Sequence, residues 1–300
     1  ETTVPARKLV DIAKSLPAEA DIRFEVDGER MLVRSGRSRF SLATLPASEF
    51  PNQEEDNSGS VLEIAPHTLR QLIDHTAFSM AQQDVRYYLN GMLFELRSGM
   101  LRAVSTDGHR LALCDAALEG QSEEAGVILP RKGVMELARI LSDAAENARL
   151  TLGRNHIRIV AGSITFTSKL VDGKFPEYER VIPKDGSRVV MADRETLRQA
   201  LSRVAILSNE KYRGVRVQLS EGSLRIVANN PEQEEAEEEV SVDYQGGPLE
   251  IGFNVSYLLD VLNTMDGTQA RLELGDSNSS ALITDPEHEA AIYVVMPMRL

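Results

Sequence analysis

Hydrophobic and polar residues along the chain repeat one pattern five times. A short apolar strand leads through a proline or capping residue into an amphipathic helix, and three strand-like runs with turn signals follow each helix. The five strand–helix segments are "TTVPARKLVDIAKSLP", "VLEIAPHTLRQLIDHTAFSM", "GVILPRKGVMELARILSD", "RVVMADRETLRQALSRVAILS" and "LEIGFNVSYLLDVLNTM". The helices are predicted to begin near residues 5, 66, 130, 193 and 254, which gives a repeat of about sixty residues.

The residues at the predicted helix starts fit this reading. Pro5, Pro66 and Pro130 suit the first helical turn, where no amide donor is needed. Asp193 and Asn254 are good N-caps. Each unit therefore reads β-α-β-β-β, and one helix on one small sheet buries only one face. We predict an α+β fold in which such units pair, two to a domain.

The length of 300 residues allows two or three domains of ordinary size. Five units are an odd number, and the first begins without a full opening strand. We therefore expect one further unit to precede this sequence in an intact protein of this kind.

Composition narrows the class of protein. Hydrophobic residues make up 42% and charged residues 26%, as in ordinary globular proteins, and no apolar run approaches the roughly 20 residues of a membrane span. The single cysteine, Cys114, lies in an apolar strand-like run and fits a small core residue in a reducing cytoplasm. The net charge of −13 disfavours a protein coated by nucleic acid, although a basic surface inside an acidic exterior stays possible.

The stretch "TDGHRLAL" has the composition of an active site. Asp107, Gly108 and His109 lie in a predicted turn between two strands, and a hydrolase using Asp107 and His109 is one hypothesis. A catalytic histidine needs a nucleophile and an orienting partner, and the sequence contains no nucleophile elbow, P-loop or dinucleotide fingerprint. An aspartate before glycine caps a tight turn with its own side chain, which we favour. Histidines without ligand spacing and a lone cysteine predict no metal and no cofactor.

Apolar side chains near the end of the sequence suggest a contact surface. The segment "YVVMPMRL" places Val294, Met296 and Met298 on one side of a predicted strand, and methionine suits adaptable contact surfaces. A strand packed at the edge of its own sheet is the alternative.

The fourth helix carries a second candidate contact. Its core stripe is predicted to contain Leu197, Leu201 and Val204, with Ala200 between them. Ile206 projects opposite this stripe and Leu207 to its side, provided that the helix continues past Val204. An apolar pair facing away from the core predicts a partner contact.

Two charged segments are complementary. "GRSRFSL" is predicted to place two arginines on one strand face, and "NPEQEEAEEEV" is a strongly acidic strand. A solvated edge that prevents aggregation is one interpretation, and head-to-tail pairing of two subunits is the other. Exposed ion pairs contribute only about 0.2–1 kcal/mol each, whereas burial of Ile206 and Leu207 against Phe40 and Leu42 contributes roughly 1.5–3 kcal/mol per side chain.

Many motifs in the sequence resemble one family. "VPARK", "RMLVRSGRSRFSL", "DVRYYLNGMLFE", "TDGHRLA", "FTSKLVDGKFP", "ILSNEKYRGVR", "GFNVSYLLDVLN" and the terminal "YVVMPMRL" are similar to the bacterial sliding clamps, the DNA polymerase III beta subunits. The resemblance implies a head-to-tail homodimeric ring of three similar domains per subunit, with helices lining the hole and sheets outside. It places the second half of domain 1 at residues 1–60, domain 2 at 61–178 and domain 3 at 179–300.

The resemblance also implies the function. Such a ring encircles duplex DNA without sequence preference and is a non-catalytic processivity factor that tethers the replicative polymerase by effective concentration. Implied partners are the DNA polymerase III catalytic subunit, the clamp loader, other polymerases and mismatch-repair proteins, which bind through short linear motifs. A protein-binding scaffold without a DNA role remains a further alternative.

The family's peptide groove carries over residue by residue. Asn278 is a departure, because the family can carry an aliphatic residue there. The implied groove residues are Leu89, Thr106, Gly108, His109, Arg110, Leu111, Pro176, Arg180, Val181, Asn254, Tyr257, Ser280, Val294, Met296, Met298 and Arg299.

The family's other two surfaces carry over in the same way. The implied DNA-contacting residues are Arg7, Gln83, Arg86, Tyr87, Tyr88, Arg131 and Lys132. The implied dimer-interface residues are Lys8, Arg30, Arg37, Arg39, Phe40, Leu42, Ile206, Leu207, Glu232, Glu234, Glu235, Glu237 and Glu238.

Overall fold

A computed structural model describes residues 1–50, 59–118, 124–142, 147–184 and 186–299. The chain divides into two compact units, Glu1–Glu55 and Asp56–Leu300. None of the helices within the described ranges is both long and apolar enough to cross a bilayer.

The described part of the first unit contains one helix and a small antiparallel sheet. Its elements are β1 (Thr2–Thr3), α1 (Ala6–Ser15), β2 (Arg23–Asp27), β3 (Arg30–Ser35), β4 (Ser38–Ala43), β5 (Leu45–Pro46) and a 3-10 turn (Ala47–Glu49). Strands β2, β3 and β4 form the sheet in that order, and β1 pairs with β5. Gly28, at φ +56, lies in the turn between β2 and β3, in a backbone conformation that favours glycine.

The second unit repeats the strand–helix–three-strand pattern four times. The first two repeats contain β6 (Ser60–Ile64), α2 (Pro66–Thr76), β7 (Gly91–Arg97), β8 (Met100–Thr106), β9 (Arg110–Ala117), then β10 (Ala125–Pro130), α3 (Arg131–Leu141), β11 (Ala148–Leu152), β12 (His156–Ala161) and β13 (Ile164–Lys169). The last two contain β14 (Arg188–Asp193), α4 (Arg194–Val204), β15 (Gly214–Ser220), β16 (Ser223–Asn229), β17 (Glu235–Ser241), then β18 (Leu249–Asn254), α5 (Val255–Thr264), β19 (Gln269–Leu274), β20 (Ala281–Thr284) and β21 (Ala291–Val295).

The repeats pair by exchanging their opening strands. Strand β6 pairs with β11 of the next repeat, and β10 pairs with β7 of the preceding one. The last two repeats do the same through β14–β19 and β18–β15. This exchange confirms the predicted pairing of units and the α+β class, because neither partner of a pair completes its sheet alone.

In the described part of the second unit, the strands form three sheets. Two four-stranded sheets have the orders β13-β12-β11-β6 and β17-β16-β15-β18. An eight-stranded sheet, β10-β7-β8-β9-β21-β20-β19-β14, joins the two pairs of repeats through β9 and β21. The last strand of the chain is therefore next to the strand that follows "TDGH".

Alternation along β9 separates two apolar cores. Ala112 and Cys114 lie in the main core beneath the helices, whereas Leu111 and Leu113 lie in a second cluster on the opposite sheet face. Successive strand residues point to opposite faces, so one strand serves both. We call the second group the outer cluster: Leu93, Val104, Leu111, Leu113, Ile128, Phe175, Tyr178 and Val294.

The helix starts follow the predicted chemistry closely. Pro66 is the first residue of α2, while Pro5 and Pro130 occupy the N-cap positions of α1 and α3. The carboxylate of Asp193 accepts a hydrogen bond from the Thr196 amide, and the Asn254 side chain caps α5.

Three sequence-based boundaries were wrong. Helix α4 ends at Val204, and a 3-10 turn, Ala205–Leu207, follows it. The helical projection therefore does not apply to Ile206, although this residue is 76% exposed. The first strand-like run after helix α2, "RYYLNGMLFEL", forms a strand only from Gly91, after a 3-10 turn. The terminal strand ends at Val295, because Pro297 has no amide hydrogen to continue the ladder.

Candidate functional site: an apolar groove beside the β8–β9 turn

The turn between β8 and β9 is held by Asp107. One carboxylate oxygen accepts hydrogen bonds from the amides of His109 at 2.9 Å and Arg110 at 3.0 Å. Gly108 has φ +87, and a Cβ there would lie 2.8 Å from a guanidinium nitrogen of Arg86. The predicted turn-capping role of Asp107 is confirmed.

The end of the chain lies against this turn. Val294 and Leu111 are cross-strand partners. Beyond the strand, the amide of Met296 donates to the carbonyl of His109 at 2.9 Å, and the amide of Met298 donates to the carbonyl of Gly252 at 2.9 Å. The C-terminal segment is thus fixed by backbone bonds to two parts of the fold.

The outer cluster forms the floor of the predicted peptide groove. Leu111 and Val294 are 3% and 1% exposed, because Phe175 and Tyr178, from the segment between β13 and β14, pack on the same cluster. Val181 follows them and is 40% exposed. The expected wall residues therefore divide into a buried floor and an exposed apolar rim.

Polar bonds fix the segment that covers this floor. The Tyr178 hydroxyl donates to a Glu95 carboxylate oxygen at 2.7 Å and accepts from Arg102 at 3.3 Å. Arg102 in turn forms an ion pair with Asp115 at 2.7 Å. Burial raises the pKa of Tyr178 to about 12, so its hydroxyl stays a donor at neutral pH.

Arg110 lies beside two other predicted groove residues. It lines a cavity of 420 Å³ together with His109 and Tyr257, and its guanidinium carbon lies 4.5 Å from the centroid of the Tyr257 ring. It donates to the carboxylate of Asp107 at 3.1 Å and to the carbonyl of Phe78 at 3.0 Å, and it forms an ion pair with Asp260. Arg110 thus joins the turn to helix α5, and its place in the groove stays a prediction.

His109 has a binding surface but no catalytic partner. Its ring stacks on Tyr257 with centroids 6.4 Å apart and planes 20° apart. Within the described part of the chain, no hydrogen bond joins this ring to a serine, threonine or cysteine side chain. The Asp107 carboxylate is occupied by Arg110 and by turn amides, so the pair lacks the arrangement of a hydrolase.

The remaining predicted groove residues surround this site. Thr106 closes the turn by donating to the Arg110 carbonyl at 2.6 Å, and Asn254 is occupied as the cap of α5. Asn278 lies in a turn formed by Asp276. Of the others, Leu89 is buried, Tyr257, Ser280, Met296 and Met298 are half-buried, and Pro176, Arg180 and Arg299 are exposed.

The loop at residues 82–86 and the turn after it carry the predicted DNA-contacting residues. Gln83 adopts φ 56, and Tyr87 is 58% exposed, whereas Tyr88 packs against the outer cluster. Arg86 binds Asp84 at 2.8 Å, and this hydrogen bond lowers the pKa of Asp84 to about 2. No sequence pattern pointed to Val85, which is 95% exposed.

The helix cations are mostly engaged. Arg131 is half-buried and donates to the Met80 carbonyl at 3.4 Å. Arg70 pairs with Asp74, and Arg194 donates to the Leu262 carbonyl at 2.9 Å. Lys132 is exposed, as are Arg7 and Lys8 in the other unit. Of the predicted DNA-contacting residues on helices, Arg131 is therefore engaged within the chain, while Arg7 and Lys132 are exposed.

Some of the residues expected at a dimer interface lie on two sheet edges, β4 and β17, and others lie on α1, on β3 and in the 3-10 turn after α4. Arg37 lies in the turn before β4, so it does not share a strand face with Arg39. Phe40 is half-buried and Leu42 is 7% exposed, which leaves Leu42 little surface for a partner. Arg30 is exposed and donates to the Ser41 hydroxyl.

The acidic strand differs from its prediction in two ways. Glu232 and Glu234 precede β17, which begins at Glu235. Glu237 forms an ion pair with Arg225, and Glu238 with Arg203 at 2.6 Å. Two of the five acids are therefore already paired within the chain.

Comparison with known proteins gives one consistent result. Models of the DNA polymerase III beta subunit match the N-terminal domain at residues 1–54, the central domain at 63–177 and the C-terminal domain at 179–299. The chain is 60% identical over 301 residues to a beta sliding clamp of Pseudomonas putida and 55% identical over 299 residues to that of Escherichia coli. In both cases it is covered completely and spans 82% of the relative.

Solved structures agree. A DNA polymerase sliding clamp from Pseudomonas aeruginosa matches with a TM-score of 0.93 and 59% identity, and Caulobacter crescentus pol III beta with 0.93 and 40%. Each comparison covers 100% of this chain and 82% of the other. These matches exclude the two alternative hypotheses, a hydrolase and a protein-binding scaffold without a DNA role. The chain belongs to the DNA polymerase III beta subunit family, the beta sliding clamps, and is a non-catalytic processivity factor of DNA polymerase.

Proposed function

We propose that the groove between the β8–β9 turn, Val181 and the C-terminal segment binds short linear motifs of the polymerase catalytic subunit, the clamp loader, other polymerases and mismatch-repair proteins. The observation that carries this proposal is the outer cluster: a buried apolar floor beside an apolar rim formed by the exposed Val181 and the half-buried Met296 and Met298. Concave apolar sites with a few fixed polar groups are typical of peptide recognition.

The DNA role has a different support. Exposed Arg7 and Lys132 lie on helices, and Gln83 and Tyr87 lie on or beside an exposed loop. We propose that these side chains contact phosphates weakly and without sequence preference, in a ring of two head-to-tail copies that works in the cytoplasm. A net charge of −13 keeps such contact weak and salt-sensitive, which suits a ring that slides.

A peptide-binding measurement tests the groove. A fluorescein-labelled peptide with the clamp-binding sequence of the polymerase catalytic subunit is titrated with the wild-type chain. A variant with His109→Ala and without residues 296–300 is titrated in parallel. The wild type is expected to raise polarisation and the variant to lose binding while keeping its circular dichroism spectrum. Equal affinity of the two proteins would reject the groove.

A further inference from the structure

A second cleft shares a wall with the groove. Pro176 and Arg180, both predicted groove residues, also line a cleft of 870 Å³. Its apolar floor includes Leu93, Val127 and Ile128. The other lining residues come from the end of β7, the start of β10, the turn before β12 and the segment after β13: Glu95, Arg97, Gly126, Arg154, Asn155, His156, and residues 169–175 and 177–179.

One wall of this cleft is an open strand edge. Strand β10 ends the eight-stranded sheet and pairs with β7 on one side only. The amide of Val171 donates to the carbonyl of Ile128 at 2.8 Å, so the peptide groups of Ile128 point away from β7. Because this direction alternates along an antiparallel strand, the amide and carbonyl of Gly126 point the same way. Among the described residues, neither group has a backbone partner.

The open groups of Gly126 are accessible. Gly126 is exposed, and glycine has no side chain that would obstruct an approaching chain. An exposed edge with free backbone groups pairs readily with an extended peptide, whose main chain supplies the hydrogen bonds.

The charge of the cleft selects the peptide. Arg97 pairs with Glu95 at 2.9 Å and with Glu179 at 2.5 Å, and Arg180 pairs with Glu177 at 2.5 Å.

Three further cations line the cleft, Arg154, Lys169 and Lys174, and all are exposed. Within the described ranges none of them has an ion pair, and Asp172 is the single lining acid outside such pairs. A local excess of cations on a protein of charge −13 favours an acidic ligand.

We propose that this cleft binds the segment that flanks a groove-bound partner motif, as an extended acidic chain added to the edge of β10. The proposal rests on the proposed function of the groove, since Pro176 and Arg180 make the two sites continuous. A peptide fits better than a nucleic acid, because the cleft offers a strand edge and an aliphatic floor rather than exposed rings for base stacking.

Extended peptides test the proposal. The labelled polymerase peptide is prepared alone, with a Glu-Val-Glu-Glu extension at either end, and with Lys-Val-Lys-Lys in the same places. Each is titrated with the wild type, with a Lys169→Glu/Lys174→Glu variant, and with an Arg23→Glu/Lys211→Glu variant. The last carries the same charge change at exposed positions outside the cleft.

We expect the acidic extension at one end to tighten binding about threefold to tenfold, as two exposed ion pairs allow. This gain should vanish only in the Lys169→Glu/Lys174→Glu variant, with the unextended peptide binding all three proteins equally. An acidic extension without effect, or a gain that survives in that variant, overturns the proposal. Failure of the unextended peptide to bind the wild type rejects the groove itself.

Binding of a single-stranded oligonucleotide of about 20 residues tests the alternative ligand of the cleft, a nucleic acid. If Lys169→Glu/Lys174→Glu weakens its binding while the acidic extension has no effect on peptide affinity, the cations serve nucleic acid, and the peptide proposal is wrong.

Discussion

The amide of Met296 donates a hydrogen bond to the carbonyl of His109 at 2.9 Å. This bond joins a residue four positions from the end of the sequence to the tip of the β8–β9 turn, and it extends the pairing of Val294 with Leu111. The backbone therefore sets the width of the groove at this point, while the side chain of Met296 remains half-buried. The rim can adapt to a ligand without any change in the floor.

Arg110 is expected to stabilise the junction between the turn and helix α5. Its side chain is 12% exposed and binds Asp107, Asp260 and the Phe78 carbonyl. Arg110→Ala removes the guanidinium from all three acceptors, so we expect the free energy of unfolding to fall by about 2–4 kcal/mol, with a clear fall in the thermal midpoint.

Differential scanning fluorimetry checks this prediction. Arg139→Ala, on an exposed helix face, serves as the control and should shift the midpoint by less than about 1 °C. An unchanged midpoint for Arg110→Ala would show that the buried cluster contributes nothing.

Ile206 and Leu207 are predicted to hold two subunits together. Ile206 is 76% exposed within one chain, and an isolated apolar side chain of this size gains about 1.5–3 kcal/mol on burial. Ile206→Ala with Leu207→Ala should convert dimers to monomers in sedimentation velocity. Val85→Ala, at another exposed position, should leave the sedimentation coefficient unchanged. A dimer that persists in the double variant would exclude this surface.

The Asp193 cap predicts a pH dependence. The hydrogen bonds that the carboxyl accepts from Thr196 hold its pKa below the ordinary value. The contribution of the cap to stability is therefore present above that value and is lost as the pH falls through the folded-state pKa. Asp193→Ala should lower the free energy of unfolding by about 1 kcal/mol at pH 7 and by less at acid pH. Urea denaturation at pH 7 and pH 3 measures the difference. Asp193→Asn keeps a capping oxygen without a titrating group and should show no such change, and a constant cost for Asp193→Ala would contradict the assignment.

Cys114 should be inert in the native protein. It lies in β9 at 2% exposure, and burial raises the pKa of its thiol to about 12, so the reactive thiolate is scarce at pH 8. Ellman's reagent should modify it only after unfolding in guanidinium chloride, with one thiol per chain. Rapid reaction of the folded protein would show that the eight-stranded sheet opens readily around β9.

Local features of the fold were predictable because they depend on neighbouring residues. The repeat, the caps at Asp193 and Asn254 and the turn at Asp107 follow from periodicity and from side chains that bond within a few positions. The burial of Leu197, Leu201 and Val204 follows from helical spacing alone.

Long-range partners were not predictable from the same patterns. Arg110 and Asp260 are 150 positions apart, and only the tertiary fold brings them together. Likewise, the sequence shows the acids of β17 but cannot show that Glu237 and Glu238 already have partners. Helical projection predicted that Ile206 faces away from the core, but this residue lies in a 3-10 turn, a change of backbone that periodicity does not report.

The most direct test of the groove is a charge placed on its rim. Val181→Asp introduces a carboxylate at a position that is 40% exposed, and Val189→Asp places the same group on the edge strand β14, at 38% exposure. Fluorescence polarisation with the polymerase peptide measures both affinities. The account predicts at least a tenfold loss for Val181→Asp, because a carboxylate against an apolar ligand stays unpaired, and wild-type affinity for Val189→Asp. Equal affinities for the two variants would contradict it.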